Sequence, residues 1–254
     1  MGLNSFRTVA IIPARYGSQR LPAKPLVEIA GKPMIQHVYE RAMRAKLVDS
    51  VLVATDDERV ASAVRTFGGN AVMTPTSLQT GTDRAAFVAR TIQEADIVIN
   101  VQGDEPLIES QMIDEAIQPM LENSQITAAT LVRRIEEERE LTNPNVVKVI
   151  LDSSGYCLYF SRSVIPFVQG LQQTSWLKHH QYFKHIGLYV FRREFLLKYA
   201  EMRPTPLESS EKLEQLRILE NGYKIKGIVT SCNSTPVDTQ EDLEIVRAFL
   251  GDNQ

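Results

Sequence analysis

Three cations lie in a short, proline-containing segment near the start of the chain. The segment "IIPARYGSQRLPAKPL", residues 11–26, contains Arg15, Arg20 and Lys24. Arginine presents a planar fork of donors to phosphate oxygens, and lysine presents a compact positive charge. The prolines and Gly17 stiffen the segment and allow backbone N–H groups to approach a ligand. The segment therefore predicts a phosphate-binding loop, and a solvated basic turn is the alternative on composition alone.

Two carboxylates that could hold a metal ion lie far apart in the sequence. Asp104 belongs to "NVQGDEP" and Asp238 to "STPVDTQEDLE". Mg²⁺ prefers one or two carboxylates together with phosphate oxygens and water, so both acids are candidate ligands. Each could instead cap the helix that follows it, although Thr239 could cap the second helix equally well. Glycosyltransferases of related architecture usually carry D-x-D at the first position, and "DEP" counts against that class.

Alternating strand and helix patterns place these residues at the end of a sheet. The apolar runs "RTVAIIPA", "SVLVAT", "NAVMT" and "DIVINVQ" are typical of buried strands, and amphipathic segments separate them. This βαβαβαβ order predicts an α/β fold with a mostly parallel central sheet and helices on both faces. Ligands of such sheets bind beyond the carboxyl ends of the strands. The cationic segment and the "QGDEP" loop both follow predicted strands.

The second half of the chain has a less regular pattern. "NVVKVILDSSGYCLYFSR" predicts a hairpin, "HIGLYVFR" and "YKIKGIVT" predict strands, and "TQEDLEIVRAFL" predicts a helix. "SSEKLEQLRILENG" predicts one helix that ends at Gly222, and "RRIEEERELT" a solvated helix or turn. Residues 167–183 have weak periodicity and predict a loop that could close over substrate. No linker divides the chain, so residues 1–254 are interpreted as a single domain.

Composition limits the possible partners. The chain has 254 residues, of which 43% are hydrophobic, enough for the core of one large domain. A net charge of −3 gives no basic excess for nucleic acid or a membrane surface, and no segment approaches the ~18 apolar residues of a membrane span. Cys157 and Cys232 have no C-x-x-C spacing, which indicates reduced thiols and a cytoplasmic protein.

Taken together, these segments resemble the 3-deoxy-manno-octulosonate (KDO) cytidylyltransferases of Gram-negative bacteria. The resemblance covers nearly the whole chain and includes "VATDDERVASAV", "MTPTSLQTGTDR", "INVQGDEP", "KHIGLYVFRREFL", "LEQLRILENG" and "VDTQEDLE". It implies a Rossmann-like nucleotide-diphospho-sugar transferase fold with a small dimerisation extension around residues 145–190, and a homodimer. It also implies that CTP and KDO react, with Mg²⁺, to give CMP-KDO and pyrophosphate for lipopolysaccharide biosynthesis.

The resemblance also implies a role for individual residues. The expected CTP-binding residues are Pro13, Ala14, Arg15, Arg20, Lys24, Gly81, Arg84 and Asp104. The expected sugar-acid-binding residues are Gln102, Arg162, His185, Tyr189, Glu214 and Gln215. Asp104 and Asp238 are the expected metal ligands, and together with Arg15 and Lys24 they form the expected catalytic set. Three positions depart from the commonest pattern of the family: Gly17 stands where alanine is frequent, Ala23 where glycine is usual before Lys-Pro, and Asp83 where glutamate is common.

Three other functions are weighed against this one. A cytidylyltransferase for neuraminate or for an 8-amino-KDO analogue would share the same motifs. A sugar-1-phosphate nucleotidyltransferase usually carries G-x-G-x-R near its start, which "ARYGSQR" lacks. A non-catalytic nucleotide-binding protein would be expected to lose the metal carboxylates or the phosphate-binding cations, all of which this sequence retains.

Overall fold

The computed structural model describes residues 6–17 and 21–251, which include eleven strands. In chain order the strands are β1 (Thr8–Ala14), β2 (Glu28–Ile29), β3 (Lys32–Pro33), β4 (Ser50–Thr55), β5 (Ala71–Met73), β6 (Ile97–Asn100), β7 (Ala128–Arg134), β8 (Lys148–Leu151), β9 (Cys157–Ser161), β10 (Phe183–Arg192) and β11 (Lys226–Val229). Nine of them form one sheet, while β2 and β3 form a separate small hairpin.

The same residues form ten α-helices. They are α1 (Met34–Met43), α2 (Glu58–Thr66), α3 (Gly81–Thr91), α4 (Ser110–Glu122), α5 (Glu138–Thr142), α6 (Trp176–His179), α7 (Arg193–Tyr199), α8 (Pro206–Glu211), α9 (Leu216–Glu220) and α10 (Gln240–Gly251). None of the helices in this described part of the chain is long and apolar enough to cross a bilayer.

The sheet has the order β11-β7-β10-β6-β1-β4-β5. Strands β4 and β6 run parallel to β1, β5 runs parallel to β4, and β11 runs parallel to β7. Strand β10 is antiparallel to both of its neighbours in this path, β6 and β7. Along this path only β10 is reversed, which confirms the predicted mostly parallel sheet.

Alternating residues of β1 supply an apolar core on each face of the sheet. Ala10 and Ile12 pack in one core with side chains of α1 and α4, whereas Val9 and Ile11 pack in the other with side chains of α3 and α7. Because both faces of the sheet are covered, the central strands are apolar throughout, as the sequence pattern indicates.

A close backbone contact fixes the loop after β6 against the end of β1. Val101 donates its N–H to the Ile11 carbonyl at 3.0 Å, which extends the pairing past β6. A Cβ atom at Gly103 would lie only 2.7 Å from the Pro13 carbonyl oxygen, so glycine alone permits this approach. The "QGDEP" loop therefore starts beside the cationic segment.

The predicted hairpin of the second half is present as β8 and β9. Strand β8 pairs with β9 and also with the start of β10, so the hairpin lies beside the main path of the sheet. Leu158 on β9 is 59% exposed, and Phe167 just after the hairpin is 73% exposed.

Two predictions for the second half are wrong. The helix predicted over "SSEKLEQLRILENG" is two short helices, α8 and α9, interrupted where Lys212 takes a left-handed conformation with φ of 55°. The break turns Gln215 into the interior, where it is 2% exposed. Strand β7 was not predicted, because its last residues, Arg133 and Arg134, belong to the charged run that suggested a helix or turn.

Candidate active site

A cleft of about 670 Å³ lies beyond the carboxyl ends of β1 and β6. It is lined by nine of the residues that the resemblance selects: Pro13, Ala14, Arg15, Lys24, Gly81, Arg84, Gln102, Asp104 and Asp238. Arg20, another of the expected CTP-binding residues, lies outside the described residues. The chain thus brings Arg15, Lys24, Asp104 and Asp238 to one place.

Lys24 joins the two candidate metal ligands. Its ammonium nitrogen lies 2.6 Å from Asp104 Oδ2 and 2.9 Å from Asp238 Oδ1. Burial alone would lower the pKa of Lys24, but the two carboxylates, Asp104 foremost, outweigh burial and raise that pKa above its ordinary value. The lysine is therefore fully charged at neutral pH, and two acids that are 134 positions apart in sequence converge on one cation.

The backbone around this triad is specialised at two points. Ala23, directly before Lys24, has a φ of 55°, a left-handed conformation that disfavours any residue with a Cβ atom. Thr239 caps α10, accepting a hydrogen bond from the Asp242 N–H at 3.2 Å, as predicted. Because Thr239 caps the helix, the Asp238 carboxylate does not serve as the cap and contacts Lys24 instead.

Two contacts connect the loops that carry Asp104 and Asp238. The Val237 N–H donates to the Asp104 carbonyl oxygen at 2.9 Å. One residue further along the first loop, the Glu105 carboxyl group accepts a hydrogen bond from the Ser234 hydroxyl. Glu105 is only 6% exposed. Burial, and after it the charge of Asp104, raise the pKa of Glu105 to about 8.

Arg84 forms a buried wall of the cleft. Its guanidinium group donates to Asp56 at 2.9 Å and to the Thr74 hydroxyl. Its Nε is also buried and has no hydrogen-bond partner within the described residues. Arg84 projects from α3. This helix begins at the cleft with Gly81, and a capping box between Thr80 and Asp83 stabilises its N-terminus. The positive end of this helix faces the cleft.

Four of the expected sugar-acid residues form a largely buried polar cluster next to the cleft. The Tyr189 hydroxyl donates to Gln215 Oε1 at 2.9 Å, and the His185 and Tyr189 ring centroids are 5.3 Å apart. Thr82 of α3 donates to Glu214 Oε1 at 2.8 Å. The side-chain amide nitrogen of Gln215 is buried and has no partner in the part of the chain described.

Gln102 connects this cluster to the cleft. A Cβ at Gly187 would lie 3.5 Å from Gln102 Cγ, so β10 and the "QGDEP" loop touch at that point. The register of β10 against β7 shifts between Ile186 and Tyr189, and such irregularities re-aim side chains. Part of the surface of His185 stays accessible, yet surrounding protein desolvates the ring and lowers its pKa to about 3. The imidazole is therefore neutral.

Arg162, the sixth expected sugar-acid residue, is not among the residues that line the cleft. Its Nε donates to the Glu211 carbonyl at 2.8 Å, and its Nη1 donates to the Pro144 carbonyl at 3.1 Å. The Ser161 hydroxyl donates to the Glu211 carboxylate at 2.6 Å, so this arginine belongs to a network at the base of the β8–β9 hairpin.

Sequence reasoning overlooked the residues that hold the expected ones. Asp56 and Thr74 fix Arg84, Thr82 fixes Glu214, and Ser234 contacts Glu105. Only Asp56 carried a signal, since it follows the buried strand "SVLVAT" and lies at the same edge of the sheet as the cleft.

Comparisons with known proteins point to one family. The sequence profile of the family described as "Cytidylyltransferase" matches residues 9–225. A 3-deoxy-manno-octulosonate cytidylyltransferase from Geotalea daltonii is 54% identical over 97% of this chain and 99% of its own length. One from Geobacter metallireducens is 55% identical over 94% of this chain and 96% of its own.

The chain belongs to the 3-deoxy-manno-octulosonate cytidylyltransferase family.

Solved structures support the same family and fold. The structure of a CMP:2-keto-3-deoxy-manno-octonic acid synthetase complexed with CTP has a TM-score of 0.91 and 43% sequence identity, and the match covers 98% of this chain and 100% of that one. A 4-diphosphocytidyl-2C-methyl-D-erythritol synthase from Anaerococcus prevotii has a TM-score of 0.64 at 15% identity, covering 98% of each chain. The second match shows the shared nucleotide-diphospho-sugar transferase architecture alone.

Proposed function

We propose that this chain transfers the cytidylyl group of CTP to the anomeric 2-hydroxyl of KDO and releases pyrophosphate. The observation that carries the proposal is the convergence of Asp104, Asp238 and Lys24 in the cleft of a chain from this family. In the reaction, the 2-hydroxyl oxygen bonds to the α-phosphorus of CTP, and the bond from that phosphorus to the oxygen that bridges to the β-phosphate breaks. The bridging oxygen leaves with pyrophosphate, and the hydroxyl proton passes to water. Such transfers depend mainly on placement and on neutralising charge.

The cationic side of the cleft suits the departing pyrophosphate. Arg15 and Lys24 line the cleft together with the N-terminal end of α3. Negative charge accumulates on pyrophosphate as it leaves, and a fixed guanidinium, an ammonium and a helix N-terminus favour that charge. The cationic segment would thus hold the departing phosphates.

The donor set in the cleft fits Mg²⁺. Two carboxylate oxygens already approach a single cationic atom, the Lys24 nitrogen, at 2.6 and 2.9 Å, so both can face one charge. Mg²⁺ accepts two protein carboxylates and fills its other positions with water and phosphate oxygens. We propose that Asp104 and Asp238 hold this ion. When bound, it would neutralise phosphate charge and make the attacking hydroxyl more acidic.

The buried cluster beside the cleft suits the sugar acid. The neutral His185 ring, the Tyr189 hydroxyl and the unpartnered amide nitrogen of Gln215 offer hydrogen bonds of the kind that hydroxyl groups need. Because His185 is neutral, it does not supply the cation that the sugar carboxylate requires. Arg162 stays the candidate for that role.

We further propose that the protein is a cytoplasmic homodimer assembled through the extension around residues 145–190. Leu158 and Phe167 support this, because large apolar side chains exposed by 59% and 73% favour burial against a partner. Analytical ultracentrifugation of the wild-type protein should give the mass of two chains. The double variant Leu158→Lys, Phe167→Lys should give the mass of one chain. A monomeric wild-type protein would refute the assembly.

One assay tests the activity directly. Purified protein is incubated with Mg²⁺, KDO and each of the four nucleoside triphosphates in turn, and pyrophosphate release is followed. CTP should support release and the other three should not. Repeating the assay with neuraminate and with 8-amino-KDO then ranks the sugar acids, and KDO should react fastest. Faster release with another sugar acid, or no release from CTP and KDO, would overturn the proposal.

A further inference from the structure

We infer that Glu105 is a positioning residue that sets Asp238 opposite Asp104 through its hydrogen bond with Ser234. The inference rests on the proposed function, since it concerns the metal site of that reaction. It assigns a task to a buried acid that neither lines the cleft nor takes part in the transfer.

The segment that carries Asp238 needs outside support. Residues 230–239 contain neither helix nor strand, and they connect β11 to α10. Ten irregular residues can adopt many backbone conformations, so the position of a side chain near their end is poorly determined by the chain itself. Contacts with other parts of the fold must fix it.

Two of the contacts that fix this segment are made by neighbouring residues of the "QGDEP" loop. Val237 bonds to the carbonyl of Asp104 at 2.9 Å, and Ser234 bonds to the carboxyl group of Glu105. Val237 is also fully buried among apolar side chains, which anchors the C-terminal part of the segment. The Ser234 contact adds the second point that defines the direction of the segment as it enters the cleft.

Glu105 buries a carboxyl group, and the hydrogen bond from Ser234 offsets part of the cost of that burial. A glutamate that is 6% exposed and next in sequence to Asp104 is unfavourable, because it is desolvated and lies near two further acids. An apolar side chain would fill the same space without that penalty. Groups that orient metal ligands from behind often account for 10- to 100-fold in metal affinity.

Metal affinity and thermal stability separate positioning from a merely structural role. Mn²⁺ is titrated into the CTP complex and free Mn²⁺ is followed by electron paramagnetic resonance, for wild type, Glu105→Ala, Glu105→Gln and Ser234→Ala. Glu105→Ala and Ser234→Ala should weaken Mn²⁺ binding by about 10-fold or more. Glu105→Gln, whose amide oxygen can accept the same hydrogen bond, should bind Mn²⁺ with nearly wild-type affinity.

Thr8→Val is the matched control. The buried Thr8 hydroxyl also bonds to a carboxylate, that of Asp49 at 3.0 Å, but at the opposite end of β1 from the cleft. This variant should lower the melting temperature and leave Mn²⁺ affinity unchanged. Should Glu105→Ala fail to fold, Ser234→Ala provides the same test, because it removes one hydroxyl group from a partly exposed segment.

Kinetics give a second readout. In Glu105→Ala, the Mg²⁺ concentration for half-maximal rate should rise, and most of kcat should return at saturating Mg²⁺. Wild-type Mn²⁺ affinity in both Glu105→Ala and Ser234→Ala would overturn the inference, as would the absence of Mn²⁺ binding to wild type. Failure of wild type to release pyrophosphate from CTP and KDO is a separate result that would overturn only the proposed function.

Discussion

Replacement of Lys24 by methionine tests whether one ammonium group holds the two acids of the cleft together. Lys24 makes two charged hydrogen bonds, at 2.6 and 2.9 Å, and its side chain is only 13% exposed. Each such bond contributes roughly 1.5–3 kcal/mol when shielded from water. Because the Asp104 and Asp238 side chains are 32% and 39% exposed, solvent screening reduces the sum to about 1–2 kcal/mol of unfolding free energy.

This loss should be visible in thermal unfolding. For a chain of this size, about 1–2 kcal/mol corresponds to a melting temperature that is roughly 2–8 °C lower. In Lys24→Met the two carboxylates face each other without a cation, so a divalent ion should bind there more readily than in wild type. At ten times its dissociation constant, Mg²⁺ would restore about 1.4 kcal/mol to the variant. Wild type should respond less, since Lys24 competes for the same oxygens.

Lys32→Met is the matched control for this experiment. Lys32 pairs with Glu40 at 2.8 Å on the surface, away from the cleft, so its loss should be small and insensitive to Mg²⁺. An unchanged melting temperature in Lys24→Met, or equal shifts with Mg²⁺ in all three proteins, would refute the reasoning.

Other changes test separate parts of the account. Asp104→Asn should lower kcat by about 10²-fold or more, and it should lower the melting temperature by less than Lys24→Met does, because it removes only one of the two charged contacts of Lys24; near-normal kcat at saturating Mg²⁺ would contradict a ligand role. The His185 ring should show no protonation by NMR between about pH 5 and 8. The pKa of His185 is lowered to about 3 in the folded chain, whereas the unfolded chain binds this proton below the ordinary histidine pKa near 6.5. His185 therefore lowers the free energy of unfolding as the pH falls from about 6.5 towards 3. A ring that titrates near pH 6.5 in the folded protein would contradict this. Iodoacetamide should modify Cys232 before Cys157, whose burial raises its pKa to about 12, and faster labelling of Cys157 would refute that. Ala23→Gly should raise the unfolding free energy by up to about 1 kcal/mol by relieving the left-handed backbone, whereas a clear loss in urea denaturation would count against strain there.

The first half of the fold could be predicted from residue pattern because its strands are short, apolar and separated by amphipathic helices. Strand β1 and helix α1, for example, begin and end close to where the pattern places them. The second half was harder, since "SSEKLEQLRILE" keeps helical spacing across a break that begins at Lys212 with its αL conformation. That break depends on burying Gln215 and Leu216, which no local pattern reveals.

The site was predictable only in part, for a similar reason. The cations of the loop and the acid at the end of β6 are local features, and strand order places them together. The partners that fix them are distant in sequence: Asp56 bonds to Arg84 across 28 positions, and Ser234 bonds to Glu105 across 129. Such pairs are set by packing of the whole chain, so sequence spacing carries no sign of them.

The most direct test of the account is to locate a divalent ion in the cleft. Crystals grown with Mn²⁺ and a CTP analogue that cannot react would be measured at the manganese absorption edge. The account predicts an anomalous peak within bonding distance of an oxygen from both Asp104 and Asp238, with Lys24 moved to the phosphates. A peak that contacts phosphate oxygens alone, while Lys24 still bridges the two carboxylates, would contradict it.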